Sequence, residues 1–64
     1  MNKKKNLTIK EIFISAVQNH KKNNLKLAES HYEKILKINP NHLESIFFLG
    51  TLLAQTKKFN EAKQ

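Results

Sequence analysis

Apolar residues recur at three- and four-residue steps in the middle of this 64-residue chain, where the stripe consists of Leu25, Ala28, Tyr32, Ile35 and Leu36. This spacing places the side chains along one face of an α-helix. The predicted helix ends near Asn39, because Pro40 disfavours the α conformation in the residue before it and has no N–H to donate.

A second stripe precedes this one and predicts an amphipathic helix that starts after Thr8. Its positions follow helical spacing and are Ile9, Ile12, Phe13, Ala16, Val17 and His20. Thr8 and Glu11 have the T-x-x-E spacing of a capping box, which satisfies backbone donors at a helix start. The helix should end near Lys22, and a turn at Asn23 and Asn24 is short enough to fold the next helix back antiparallel.

A third helix is predicted after Pro40, with Asn41 as its N-cap. Between residues 46 and 54 this helix has almost no polar stripe, so it needs neighbours on most of its sides. We expect it to stop at a turn formed by residues 57–58. A fourth helix should begin at Phe59, with about six residues before the end of the sequence, too few for independent stability.

The chain repeats itself when it is shifted by 34 residues. The matching pairs are Ile9 with Leu43, Ile12 with Ile46, Phe13 with Phe47, Ala16 with Gly50, Leu25 with Phe59 and Ala28 with Ala62. A period of this length is typical of helical repeats, which stack to bury a continuous core.

These positions resemble the tetratricopeptide repeat family, a 34-residue helix–turn–helix unit. The residues that carry the resemblance are Ile46, Leu49 and Gly50 at the opening of a repeat, and Ala28, Tyr32, Pro40 and Ala62 towards its close. The resemblance implies an all-α fold of antiparallel helix–turn–helix repeats, an α-solenoid, with three full helices and the start of a fourth. It divides the chain into a disordered basic tail at 1–7, a first repeat at 8–41 and an incomplete second repeat at 42–64. A plain three-helix bundle is the alternative.

The chain departs from the family pattern at several positions. Ile12 and Ile46 replace the usual Trp, Asn19 replaces an aromatic residue, and Asn23 and Lys57 replace the turn glycine. A terminal repeat is expected to be atypical and to carry a more polar face.

The formal net charge is +7, and every basic residue other than histidine is a lysine. Lys3, Lys4 and Lys5 could contact nucleic acid or anionic lipid. The chain lacks Arg, which makes bidentate phosphate and base contacts, and no aromatic platform lies among these lysines. We therefore predict a solvated tail, with no specific nucleic acid and no membrane as partner.

The residue types exclude most catalytic chemistry. The chain has no Cys, no Asp and a single glycine, so it has no thiolate nucleophile and no glycine-rich phosphate loop. His20, His31 and His42 fall on separate predicted helices, which argues against a shared metal. We predict no enzymatic activity, no cofactor and no metal. The lack of cysteine and of a secretory or membrane-spanning segment favours a cytoplasmic location.

The resemblance implies a concave groove lined by the first helix of each repeat. The groove positions would be Lys10, Phe13, Ile14, Val17, Lys21, Glu44, Phe47, Phe48, Thr51 and Gln55. Aromatic residues at helical spacing more often belong to the hydrophobic core than to a binding surface. The alternative interpretation of Phe13, Phe47 and Phe48 is therefore that they are core residues.

The resemblance favours a protein–protein interaction module that binds a peptide or helix of another protein. The alternative is the N-terminal array of a larger glycosyltransferase or sulfotransferase, which would position its substrate. The short fourth helix would leave Phe47, Leu49 and Leu53 uncovered, so the sequence also predicts self-association through an open C-terminal end.

Overall fold

A computed structural model describes residues 8–63, apart from the side chains of Phe59, Ala62 and Lys63. This part of the chain forms three α-helices, α1 at Ile9–Lys21, α2 at Leu25–Ile38 and α3 at Leu43–Lys63. The all-α helix–turn–helix prediction is confirmed. The predicted basic tail at 1–7 lies outside the described residues.

Helix α1 begins at the capping box that the sequence predicts. The backbone N–H of Glu11 donates to Thr8 Oγ1 at 3.1 Å, and the backbone N–H of Thr8 donates to Glu11 Oε1 at 2.9 Å. Two backbone donors that have no partner within the helix are satisfied reciprocally in this way.

A Schellman motif ends α1 and turns the chain towards α2. Asn23 has a φ of 69°, in the left-handed region, and its N–H donates to His20 O at 3.0 Å. The N–H of Asn24 donates to Asn19 O at 2.8 Å, which completes the motif. Asn tolerates this conformation better than most residues with a Cβ, so the predicted turn at Asn23 and Asn24 has a clear local cause.

Helix α2 ends where Pro40 predicts. Asn39 adopts an extended conformation with φ −137° and ψ 93°, as a residue before proline prefers. Its Oδ1 atom accepts a hydrogen bond from the N–H of Asn41 at 3.1 Å. This side-chain bond spans the proline and directs the chain into α3.

The prediction of Asn41 as the N-cap of α3 is wrong, because the cap is one residue later, at His42. The backbone N–H of Ser45 donates to His42 Nδ1 at 3.2 Å, and the N–H of Ile46 donates to His42 O at 3.1 Å. The hydroxyl of Ser45, fully buried, lies 2.8 Å from the same ring nitrogen. Asn41 instead belongs to the turn around Pro40.

The core lies where the three helices meet. Ala16 of α1, Ala28 and Tyr32 of α2, and Leu52 of α3 form one fully buried cluster. The two alanines let α1 and α2 approach closely, as the sequence predicts for small residues at a helix crossing.

Helices α1 and α3 run in the same direction, side by side. Phe13 contacts Phe48, with ring centroids 5.5 Å apart, and His20 bonds Gln55. Both pairs are separated by 35 residues, close to the 34-residue period. Helix α3 therefore lies against α1 at nearly the spacing of the sequence period.

The predicted fourth helix is wrong, since α3 continues without interruption to Lys63. Asn23 breaks α1 by adopting a left-handed conformation, and its equivalent Lys57 would pay about 1–2 kcal/mol to do the same. No proline or glycine stands between residues 51 and 63 to end the helix. The turn proposed at residues 57–58 thus lacks the residues that form the first turn.

Changing Asn23 to Gly should leave stability unchanged or raise it by up to about 1 kcal/mol, because glycine accepts a positive φ without strain. The matched control is Lys22→Gly, at a φ of −83°, where glycine should lower stability. Urea unfolding followed by circular dichroism measures both. Equal losses in the two variants would contradict a strained turn at Asn23.

Changing Ala28 to Leu should lower the free energy of unfolding by about 1–3 kcal/mol, because the added carbons overpack the contact between α1 and α2. Ser30→Leu, at an exposed position of the same helix, is the matched control and should change stability little. An unchanged or raised thermal midpoint for Ala28→Leu would count against this packing.

Candidate partner-binding groove

The α1 half of the predicted groove is an open face. Lys10, Ile14, Val17 and Lys21 recur at four- and three-residue steps and share one side of the helix. The two lysines are exposed, Ile14 is 47% exposed, and Val17 is half-buried. The helix thus presents two apolar side chains between two cations.

The α3 half is adjacent and carries one carboxylate. Phe47 is 68% exposed, and Thr51 and Gln55 are exposed one and two turns further along. The Thr51 hydroxyl donates to Phe47 O at 3.0 Å, so its proton is used within the helix. Glu44 lies at the start of α3, with its Oε1 3.7 Å from His42 Nε2.

Phe13 and Phe48, two of the predicted groove positions, are packing residues rather than an open surface. Both are partly buried and pack against the core cluster. Their rings are 5.5 Å apart, at the contact between α1 and α3. The alternative interpretation of these two residues as core therefore fits their packing, whereas Phe47 remains available for contact.

His20 joins all three helices, a role that the sequence analysis did not predict. Its Nδ1 lies 3.1 Å from the Tyr32 hydroxyl on α2, and its Nε2 lies 2.7 Å from Gln55 Oε1 on α3. Because an amide oxygen only accepts, Nε2 must donate, and in the neutral imidazole Nδ1 then accepts from Tyr32. Helical spacing places His20 on the buried side of α1, but a partner 35 residues away leaves no local signal.

Burial changes the chemistry of Tyr32. Its side chain is fully buried, and desolvation raises the pKa of Tyr32 above its ordinary value of 10.0. The phenol therefore stays protonated, and keeps its hydrogen bond to His20, to a higher pH than an exposed tyrosine would.

The histidines are spread over the fold rather than gathered. His20 bonds Tyr32 and Gln55, His42 caps α3, and His31 lies half-buried on α2. Within residues 8–63, no three His, Cys, Asp or Glu side chains form a group that could hold a metal ion. No helix in this part of the chain is both long enough and apolar enough to cross a lipid bilayer.

The outer face of α3 is apolar, and no other helix of the described part of the chain packs against it. Ile12 is 5% exposed, whereas its equivalent Ile46 is 47% exposed. Ala16 is fully buried, whereas its equivalent Gly50 is exposed. The prediction of uncovered residues holds for Phe47 and Leu53, but it is wrong for Leu49, which packs against the core cluster because it faces α2.

An open cleft of about 1020 Å³ lies between the α1–α2 turn and the second half of α3, and the sequence analysis did not predict it. Its lining residues are Asn23, Asn24, Leu25, Lys26, Leu27, Gln55 and Lys58. The cleft exists because α3 continues past the turn instead of folding back.

Residues 19–42 match the family model of the tetratricopeptide repeat. The match confirms the resemblance, since it covers the Schellman turn, all of α2 and the Asn39–Pro40 turn. These elements supply Ala28, Tyr32 and Pro40, which carry the family pattern. No curated protein and no solved structure gives a significant match to the chain.

Tyr32 is the only tyrosine, and the chain has no tryptophan, so phenolate absorbance reports on this residue alone. We expect its titration midpoint above pH 10 in native buffer and near 10 in denaturant. The raised folded pKa means that Tyr32 contributes stability below about pH 10, which is lost as the pH rises through the folded pKa. The alkaline fall of the melting midpoint should therefore be smaller for Tyr32→Phe. A native midpoint at or below 10 would contradict the buried phenol.

Proposed function

We propose that the chain is a non-enzymatic interaction module that binds a peptide or helix of a partner protein along the groove of α1 and α3. The observation that carries this proposal is the parallel arrangement of these helices, with Ile14, Val17 and Phe47 exposed or half-buried and Phe13 packed against Phe48. Tetratricopeptide repeats generally mediate protein–protein interactions, and residues 19–42 match that family.

The charges along the groove indicate how a segment would be held. Lys10 and Lys21 lie at opposite ends of the α1 face, and Glu44 lies at the start of α3. Apolar anchors would bury against Ile14 and Phe47, and carboxylates of the partner would meet the two lysines. Such rim charges affect specificity and association rate more than affinity.

A non-catalytic role is supported by the hydrogen bonds that the histidine ring nitrogens make within the fold. Both nitrogens of His20 are bonded within the fold, and His42 Nδ1 serves the start of α3. The groove would equally serve the alternative, a substrate-positioning array of a transferase, and no contact among residues 8–63 favours that role. The cytoplasmic location and self-association through the uncovered end remain part of this proposal.

The test is a binding measurement with groove and control variants. A peptide selected from a random displayed library against residues 1–64 serves as the probe, and fluorescence polarisation measures its affinity. Ile14→Glu should weaken binding about tenfold or more, because it places a charge among the apolar contacts. Leu27→Glu is the matched control, since Leu27 is also 47% exposed but lies on α2 beside the cleft.

Unchanged helicity of both variants by circular dichroism is the control for folding. Peptides that bind Ile14→Glu as tightly as the original chain would overturn the groove. A loss confined to Leu27→Glu would assign binding to the cleft instead.

A further inference from the structure

The outer face of α3 has the sequence pattern of a helix-pairing surface. Its apolar members are Leu43, Ile46, Phe47, Gly50, Leu53 and Ala54, all exposed. They fall at three- and four-residue steps, so they form one seam, with a seven-residue repeat from Leu43 to Gly50 and from Phe47 to Ala54. On α1 the equivalents of Ile46 and Gly50 are Ile12 and Ala16, and both are buried. The surface of α3 therefore has the character of one that packs against another helix.

Packing among the described residues of one chain does not explain why position 50 is a glycine. A Cβ built at this position meets nothing within 4 Å, so the fold has room for a larger residue. A glycine inside an exposed helix destabilises that helix relative to alanine. Its equivalent Ala16 is small because α2 lies against it. Close approach of a second helix would explain the small residue at position 50 in the same way.

Charge complementarity identifies the occupant. Glu44, Thr51 and Lys58 are spaced by seven residues and lie along one flank of the apolar seam. Glu44 and Lys58 are thus equally far from Thr51, about 10 Å along the axis on either side. In an antiparallel pair of identical helices, residues of the same flank face each other. Each Glu44 would then meet the Lys58 of the other copy.

A parallel pair has no such match. It would place identical residues of the two copies at the same height, with Glu44 beside Glu44 and Lys58 beside Lys58. Flanking charges of this kind set the orientation of paired helices. The only carboxylate–cation contact among the described side chains is that of Glu44 with His42, so Lys58 has no competing partner there.

We propose that a second copy of this chain covers the seam, with the two α3 helices antiparallel and crossing beside Gly50. This inference rests on the self-association included in the proposed function and gives it a geometry. The twofold axis passes near Thr51, and two Glu44–Lys58 ion pairs flank the apolar contact of Phe47, Leu53 and their symmetry mates.

Sedimentation equilibrium of residues 1–64 over a wide concentration range tests the proposal by charge reversal. The original chain should show a monomer–dimer equilibrium. Glu44→Lys and Lys58→Glu should each weaken it about three- to tenfold, because each replaces two attractions by two repulsions. The double variant should recover the original dissociation constant to within about twofold. Glu44 and Lys58 are fourteen residues apart on one helix and cannot contact each other within one chain. Recovery of the dissociation constant would therefore require contact between the two copies.

Two controls separate geometry from total charge and from folding. Glu33→Lys and Lys34→Glu make the same charge changes at exposed positions of α2 and should leave the dimer unchanged. Circular dichroism of every variant measures helicity. Because Glu44 lies in the first turn of α3, Lys58→Glu alone also tests the pairing, since it faces an intact Glu44 in the other copy.

Three results would overturn the proposal. The first is a monomer at every concentration, and the second is a dimer that neither single variant weakens. The third is a double variant that dimerises as weakly as the single variants. Each would assign the seam to an occupant other than an antiparallel copy. Ile14→Glu lies on α1, so it should leave the dimer intact, and failure of the groove and failure of the dimer are separately visible.

Discussion

The arrangement of the three helices depends on the burial of one phenol. Tyr32 is fully enclosed, and an enclosed hydroxyl without a partner would cost about 1–3 kcal/mol. His20 supplies that partner at 3.1 Å and is itself held by Gln55 at 2.7 Å. Two hydrogen bonds that share His20 of α1 therefore connect α2 to α3. Phe13 and Phe48, each with its ring centroid 6.2 Å from that of Tyr32, surround this connection with apolar area.

Features fixed by a few neighbouring residues could be predicted from the sequence. The capping box of Thr8 and Glu11, the turn at Asn23 and the end of α2 before Pro40 each follow from local backbone chemistry. The errors also have local causes. A histidine cap at His42 is less common than an Asn cap, and the repeat predicted a break at Lys57, although lysine does not share the tolerance of Asn23 for a positive φ.

The candidate site could be predicted only in part, because burial depends on neighbours that the sequence does not name. Ile14 and Phe47, which the family resemblance implies as groove positions, are exposed in the structure. Helical spacing could not separate Phe48 from Phe47, since adjacent aromatic residues on an apolar helix look alike until the packing of α2 selects one. The bond from His20 to Gln55 is likewise invisible in a pattern, because it joins residues from successive repeats.

The groove and the seam of α3 are neighbouring surfaces of one helix and share Phe47. On the proposed functions, the second copy would bury that ring, and a groove partner would use the same ring as its anchor. A side chain cannot serve both contacts fully, so each binding event would weaken the other by the same factor. The α1 face at Lys10, Ile14 and Lys21 remains open in either state. The dimer would therefore narrow the groove towards α1 rather than close it, and partner concentration would set the balance between monomer and dimer.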